Sequence, residues 1–131
     1  MIDKKYIAGF IDGEGCIIFG KHKDKRLIRG FTIYYRVGVS NQNKEVLEEI
    51  RKRYGGIISK KKNENTCWEL IIAKREEMKN ILADMIPHLI VKKQKAKELL
   101  NLLKQRDKEG RLLSKNTLNL LNKNKAWGIK A

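Results

Sequence analysis

Two glycines four residues apart in one apolar helical stripe set the first limit on what this chain can fold into. In Tyr6-Ile7-Ala8-Gly9-Phe10-Ile11-Asp12-Gly13-Glu14-Gly15, the residues Ile7, Phe10 and Ile11 recur at helical spacing. Asp3 stands where an N-cap belongs. Gly9 and Gly13 therefore share a face. Glycine costs about 1 kcal/mol against alanine inside a helix, so a pair on one face calls for a compensating contact. Bare backbone permits the close approach of a second backbone, as small residues do at tight helix crossings. Asp12 and Glu14 fall at the C-terminal end, where unsatisfied carbonyls already carry partial negative charge. Carbonyls and carboxylates together suit a hard divalent cation. The plainer alternative for such a stretch alone is a capped amphipathic helix with solvated acids.

The rest of the chain alternates hairpins with helices. Residues 16–23 predict a strand with Ile17 and Phe19 on one face, followed by the charged turn Asp24-Lys25-Arg26. In 31–40, Phe31, Ile33, Tyr35, Val37 and Val39 alternate with Thr32, Tyr34, Arg36, Gly38 and Ser40, the pattern of a half-buried antiparallel strand. The polar side of that strand offers a base, a phenol and hydroxyls, which can contact phosphates and base edges. An ordinary solvated sheet face has the same composition.

Asn41-Gln42-Asn43 opens a helix to Tyr54 with the inward stripe Val46, Leu47, Ile50 and Tyr54, stopped by Gly55-Gly56. A second hairpin spans 57–62 and 67–73 around Asn63-Glu64-Asn65. Its Trp68, Leu70 and Ile72 point one way, and Cys67, Glu69 and Ile71 the other. A helix over 74–86 carries Met78, Ile81, Leu82, Met85 and Ile86 and ends at Pro87. His88 has no metal-ligand neighbour at a suitable spacing. A last helix over 89–106 begins with Lys92, Lys93, Lys95 and Lys97, which oppose its dipole and suit an anion. In 107–131, Ser114 could cap a short helix and Trp127 could dock on the domain.

Thirty basic against fifteen acidic residues, a net charge of +15 over 131 residues, favour a polyanionic partner, nucleic acid before membrane. A ribosomal protein would share that balance. Cys16 and Cys67 lack metal-ligand spacing, which predicts reduced thiols and an intracellular setting: a bacterial or archaeal cytoplasm or an organelle matrix. The run 81–91 is too short to span a bilayer, and no targeting segment is evident.

Ile7-Ala8-Gly9-Phe10-Ile11-Asp12-Gly13-Glu14-Gly15 resembles the signature of the LAGLIDADG homing endonuclease family at nine consecutive positions. The periodicity over residues 3–106 also gives the family's αββαββα order. The resemblance implies an α+β fold with a curved antiparallel sheet in the DNA major groove. Residues 1–106 would be the endonuclease core and 107–131 a C-terminal helical extension on the same domain. One motif per chain implies a homodimer, with Ile7, Ala8, Gly9, Phe10, Asp12 and Gly13 at the interface. The implied activity is a Mg²⁺-dependent endonuclease of intron or intein mobility. It would make a staggered double-strand cut in a long pseudo-palindromic DNA site.

Glu14 and the Gly13 carbonyl would hold the metal. Lys92, or alternatively Lys93, would stand by the scissile phosphate, and Asn41, or Gln42, would order solvent. Many members have aspartate where this chain has Glu14. Asp12 reads as structural, capping neighbouring helix ends. DNA contacts fall to Gly20, His22, Thr32, Tyr34, Arg36, Gly38, Ser59, Lys61 and Glu69 on the sheet, and to Lys21, Lys23, Arg26 and Arg29 as loop contacts to the backbone. The family also includes intron-splicing maturases, which bind intron RNA, and DNA-binding proteins that no longer cleave; both are alternatives.

Overall fold

The glycine-notched stretch is a helix, and it closes one side of the core. The computed structural model describes residues 2–26, 30–61 and 66–109, without the side chains of 106–109. Arg29, the Asn63-Glu64-Asn65 turn and the expected helices within 110–131 lie outside the described residues. Helix α1 is Lys4–Glu14, and the Asp3 carboxylate accepts the Tyr6 N–H at 2.8 Å. There follow β1 (Gly15–Lys23), β2 (Phe31–Asn41), α2 (Lys44–Tyr54), β3 (Ile57–Lys60), β4 (Trp68–Ile72), α3 (Arg75–Met85), a 3-10 turn (Ile86–His88) and α4 (Lys93–Glu109). The strands form one antiparallel sheet in the order β1-β2-β4-β3. This is the α+β, αββαββα arrangement expected over the described residues.

Strand periodicity decides which side is buried. Ile17, Phe19, Val37, Val39, Leu70 and Ile72 turn inward and meet Ile7, Ala8 and Ile11 of α1. Leu47 and Ile50 of α2, Met78 to Met85 of α3, and Ala96, Leu99, Leu102 and Leu103 of α4 complete the same core. Burying one such aliphatic side chain contributes roughly 1.5–3 kcal/mol, so the inward set is what fixes strand register. The described helices occupy one face of the sheet, and among the described residues the other is open.

Gly55 ends α2 with φ of +89°, a left-handed conformation suited to glycine, and the Glu77 carboxylate fills the space a side chain would need. Tyr54 then ties α2 to α3. Its hydroxyl donates to Asp84 at 2.8 Å, and burial together with that carboxylate pushes its pKa up to about 12.

Two element ends differ from the sequence reading. Asn43, not Asn41, caps α2: its side-chain oxygen accepts the Val46 N–H, while the Asn41 oxygen accepts the Asn43 N–H in a preceding turn. The last helix starts at Lys93 rather than residue 89, because Pro87 sits in the 3-10 turn and Leu89 is extended. The amides after it are satisfied from elsewhere. The Asp12 carboxylate accepts the Ile90 N–H at 2.7 Å and the Lys92 N–H at 3.0 Å. No helix among the described residues is long and apolar enough to cross a membrane.

Candidate nucleic-acid interface and acidic helix end

Helix α1 delivers Glu14 to the rim of the open sheet face. Gly9, Gly13 and Glu14 are exposed, and a Cβ built on either glycine meets nothing within 4 Å. Among the described residues, then, nothing gives these glycines a steric reason to be there. Ile7 and Ala8 behave otherwise. Both are 0% exposed, so they serve the chain's own core and offer no surface to a second copy, contrary to their expected interface role. The exposed side of α1 consists of Lys5, Tyr6, Gly9, Phe10 and Gly13, with the Tyr6 and Phe10 rings edge to face at 6.4 Å. Those residues, except Gly13, line an open cleft with Glu14, Asn41, Asn43 and Val46.

Asp12, also expected at the interface, is committed within its own chain. Burial raises its carboxyl pKa, but the N–H groups of Ile90, Lys92 and Val91 and the Lys92 charge outweigh that and hold it below the ordinary aspartate value. The Lys92 ammonium in turn donates to the Asp12 carbonyl at 2.6 Å. The last turn of α1 and the start of α4 are thereby joined. Hydrogen bonds to a charged group contribute about 1.5–3 kcal/mol, so Asp12→Ala is expected to destabilise the fold by roughly 2–4 kcal/mol. Urea denaturation of the purified variant measures this directly.

A second cleft shares Glu14 with the sheet. Its lining is Glu14, Cys16, Arg36, Ser40, Asn41, Gln42, Lys61, Cys67 and Glu69. The structure thus brings the acid together with both solvent-ordering candidates, Asn41 and Gln42. It places Lys92 rather than Lys93 against the α1 carbonyls. Cys16 and Cys67 carry no expected role, whereas Ser40 stands on the polar side of residues 31–40. The two-residue alternation reaches Cys67 one step before Glu69 and Cys16 two steps before Gly20.

The open face carries most of the expected DNA-contacting residues. Register sets Gly20 opposite Tyr34, His22 opposite Thr32 and Ser59 opposite Glu69, while Gly38 faces Cys16 and Ile71. Arg36 is exposed there, opposite Ile18. Lys61 lies just beyond β3, and its N–H donates to the Cys67 carbonyl at 3.0 Å.

Lys21 and Lys23 are strand residues of the other parity, not loop residues: they stand opposite Ile33 and Phe31. The Lys21 ammonium sits 4.9 Å from the centre of the Phe31 ring. Arg26 is held by Asp24 through two side-chain hydrogen bonds of 3.0 Å, so any phosphate contact must compete with that carboxylate.

At the far end of the face, the His22 Nε2 and Thr32 Oγ1 are hydrogen-bonded at 2.6 Å, and the Tyr34 ring lies 5.8 Å from His22. Among the described residues the Tyr34 hydroxyl is buried without a partner, and burial raises its pKa. An unsatisfied buried hydroxyl costs about 1–3 kcal/mol. Tyr34→Phe is accordingly expected to raise stability by about 1 kcal/mol in urea denaturation.

The oxygen donors at the α1 terminus fit a hard cation only in part. One Glu14 carboxylate and the neighbouring Gly13 carbonyl are suitable ligands. No cluster of three metal-binding side chains occurs among the described residues. Mg²⁺ is commonly held by one or two carboxylates, waters and substrate phosphates, so the remaining ligands would come from outside this chain.

Comparison with known proteins follows the same lines. The LAGLIDADG endonuclease family matches residues 7–105. No curated protein sequence matches the chain significantly. The fold is similar to that of an archaeal intron-encoded homing endonuclease, I-Vdi141I, complexed with DNA. Identity is 21% and the TM-score 0.78, over 97% of this chain and 86% of that one. The homing endonuclease I-TnaI gives 24% and 0.75, over 93% and 84%. The I-SmaMI LAGLIDADG homing endonuclease bound to cleaved DNA gives 21% and 0.73, over 92% of this chain and 42% of that one. At such identity these likenesses concern the fold. The family match, which runs from α1 into α4, establishes that the chain belongs to the LAGLIDADG endonuclease family.

Proposed function

We propose that this chain is a homodimeric, Mg²⁺-dependent homing endonuclease that makes a staggered double-strand cut in a long, nearly palindromic DNA site. The observation that carries this reading is the α1 helix itself. Among the described residues its glycine face is open and runs directly to the exposed Glu14 at the edge of an uncovered sheet face. Two copies crossing there would bring two Glu14 carboxylates together, and carboxylates so close repel unless a cation lies between them. The I-SmaMI chain, of which this one covers 42%, is long enough for two such units. The similar I-Vdi141I is complexed with DNA.

In this reading Glu14 and the Gly13 carbonyl hold Mg²⁺. The bound ion supplies charge neutralisation at the scissile phosphate and a more acidic water. Lys92 places its ammonium at the same helix end, where a cation stabilises charge developing on the phosphate. Asn41 keeps its amide nitrogen for solvent while its oxygen accepts the Asn43 N–H. The open face enters the major groove, where Arg36 can pair bidentately with guanine. Residues 1–106 form the functional core, with 107–131 an extension of it.

Selection of cleaved sites from a random duplex library, with Mg²⁺ and with EDTA, tests all of this together. Recovery of one long, two-fold-related site cut only with the metal is the expected result. Cutting in EDTA would remove the metal assignment, and an unrelated, asymmetric site the dimer.

A further inference from the structure

One row of the open face carries no strong hydrogen-bonding side chain. Cys16 lies opposite Gly38, Gly38 opposite Ile71, and Ile71 opposite Ile57, so the row crosses all four strands. A Cβ at Gly38 would stand 3.5 Å from both the Cys16 Sγ and the Ile71 Cδ1. The two neighbours therefore lean over the glycine and close the row into a continuous strip. Ile57, at the sheet edge, is 72% exposed. An exposed isoleucine on an edge strand brings a liability for aggregation and no gain in folding.

With strands about 4.8 Å apart, the strip is roughly 14 Å long, close to the ~12 Å width of a B-form major groove. Arg36, paired with Ile18, stands in the row on one side, and Ser40, Glu69 and Ser59 form the polar row on the other. The net charge of +15 argues for a polyanion over an apolar peptide as occupant.

The base edges of the major groove display one apolar group, the 5-methyl of thymine. We propose that the strip Cys16–Gly38–Ile71–Ile57 reads thymine methyl groups. Each half-site then contains a methyl-bearing A·T step set between positions read by hydrogen bonds. This inference rests on the DNA-binding reading above and adds a chemical requirement on the substrate. Gly38 keeps the strip level: a methyl there would just touch both neighbours, and a larger side chain would stand proud between them.

The test uses the full-length wild-type chain and the duplex recovered by selection, with single thymines replaced by uracil. That change removes the methyl and nothing else. Burial of one methyl corresponds to about fourfold in affinity, and a symmetric pair to about fifteenfold. Uracil at one pair of symmetric positions is expected to weaken wild-type binding by that much, and 5-methylcytosine at the same positions to bind better than cytosine. Ile71→Ser should lose this sensitivity. Ile57→Ser, at an exposed edge position that leaves the core untouched, should reduce it. Uniform tolerance of uracil, or an undiminished uracil penalty in both variants, would overturn the proposal. Failure to bind any duplex appears before uracil is introduced and brings down the DNA-binding reading along with it.

Discussion

Glu14→Gln is expected to slow DNA cleavage more than about 100-fold while leaving binding at wild-type strength or slightly tighter. Removing groups that merely support a metal ligand costs about 10–100-fold, so loss of the ligand itself should exceed that range. Binding should survive for a separate reason. The contacts proposed for the open sheet face do not involve Glu14, and neutralising an acid near phosphates removes a repulsion. Gel-shift titration without divalent metal, paired with cleavage of the same duplex in Mg²⁺, measures the two properties apart. Unimpaired cutting by the variant would show that Glu14 holds no catalytic ion. Loss of binding and cleavage together would assign Glu14 to the structure of the domain.

The double change Gly9→Ala and Gly13→Ala has opposite consequences for one chain and for two. Among the described residues each new methyl meets nothing within 4 Å, and alanine improves helix propensity by about 1 kcal/mol per site. A solvated glycine face would therefore gain about 2 kcal/mol of stability and keep its activity. If a second copy's backbone lies on that face, the methyls force the helices apart, at about 1–3 kcal/mol for an overpacked contact. The expected result is the second one: the dimer dissociation constant rises by at least about tenfold, and cleavage falls with it. The separated chain should nevertheless melt at a higher temperature. Sedimentation equilibrium and a thermal melt decide the matter. A variant that stays dimeric and active leaves the glycines without the role given to them.

Most of the fold was legible because each element announces itself by spacing. The strict alternation of 31–40 named both faces of β2 correctly. The N-cap at Asp3 and the double glycine after Tyr54 marked helix ends through backbone chemistry that is local by nature. The start of α4 was not legible, since it depends on Asp12, a residue 78 positions before Ile90, accepting hydrogen bonds that a helix would otherwise need to provide. The two sides of α1 were likewise indistinct. Ile7 and Ala8 share the motif with Gly9 and Gly13, yet only packing shows that the first pair faces inward. Lys21 and Lys23 lie inside the strand predicted over 16–23, and its alternation puts them on the side of Phe19, away from the open face. The cleft beside Glu14 is assembled from β1, β2 and β4, and strand order is not written in any one segment.

The bond between Asp12 and the 90–92 segment has a consequence for the growing polypeptide. The acid-bearing helix is among the first parts made, whereas the lysine beside it arrives only when synthesis has nearly reached the final helix. A chain halted before residue 92 carries the carboxylate without its cationic neighbour, and a ribosome must release almost the entire core before the two can meet.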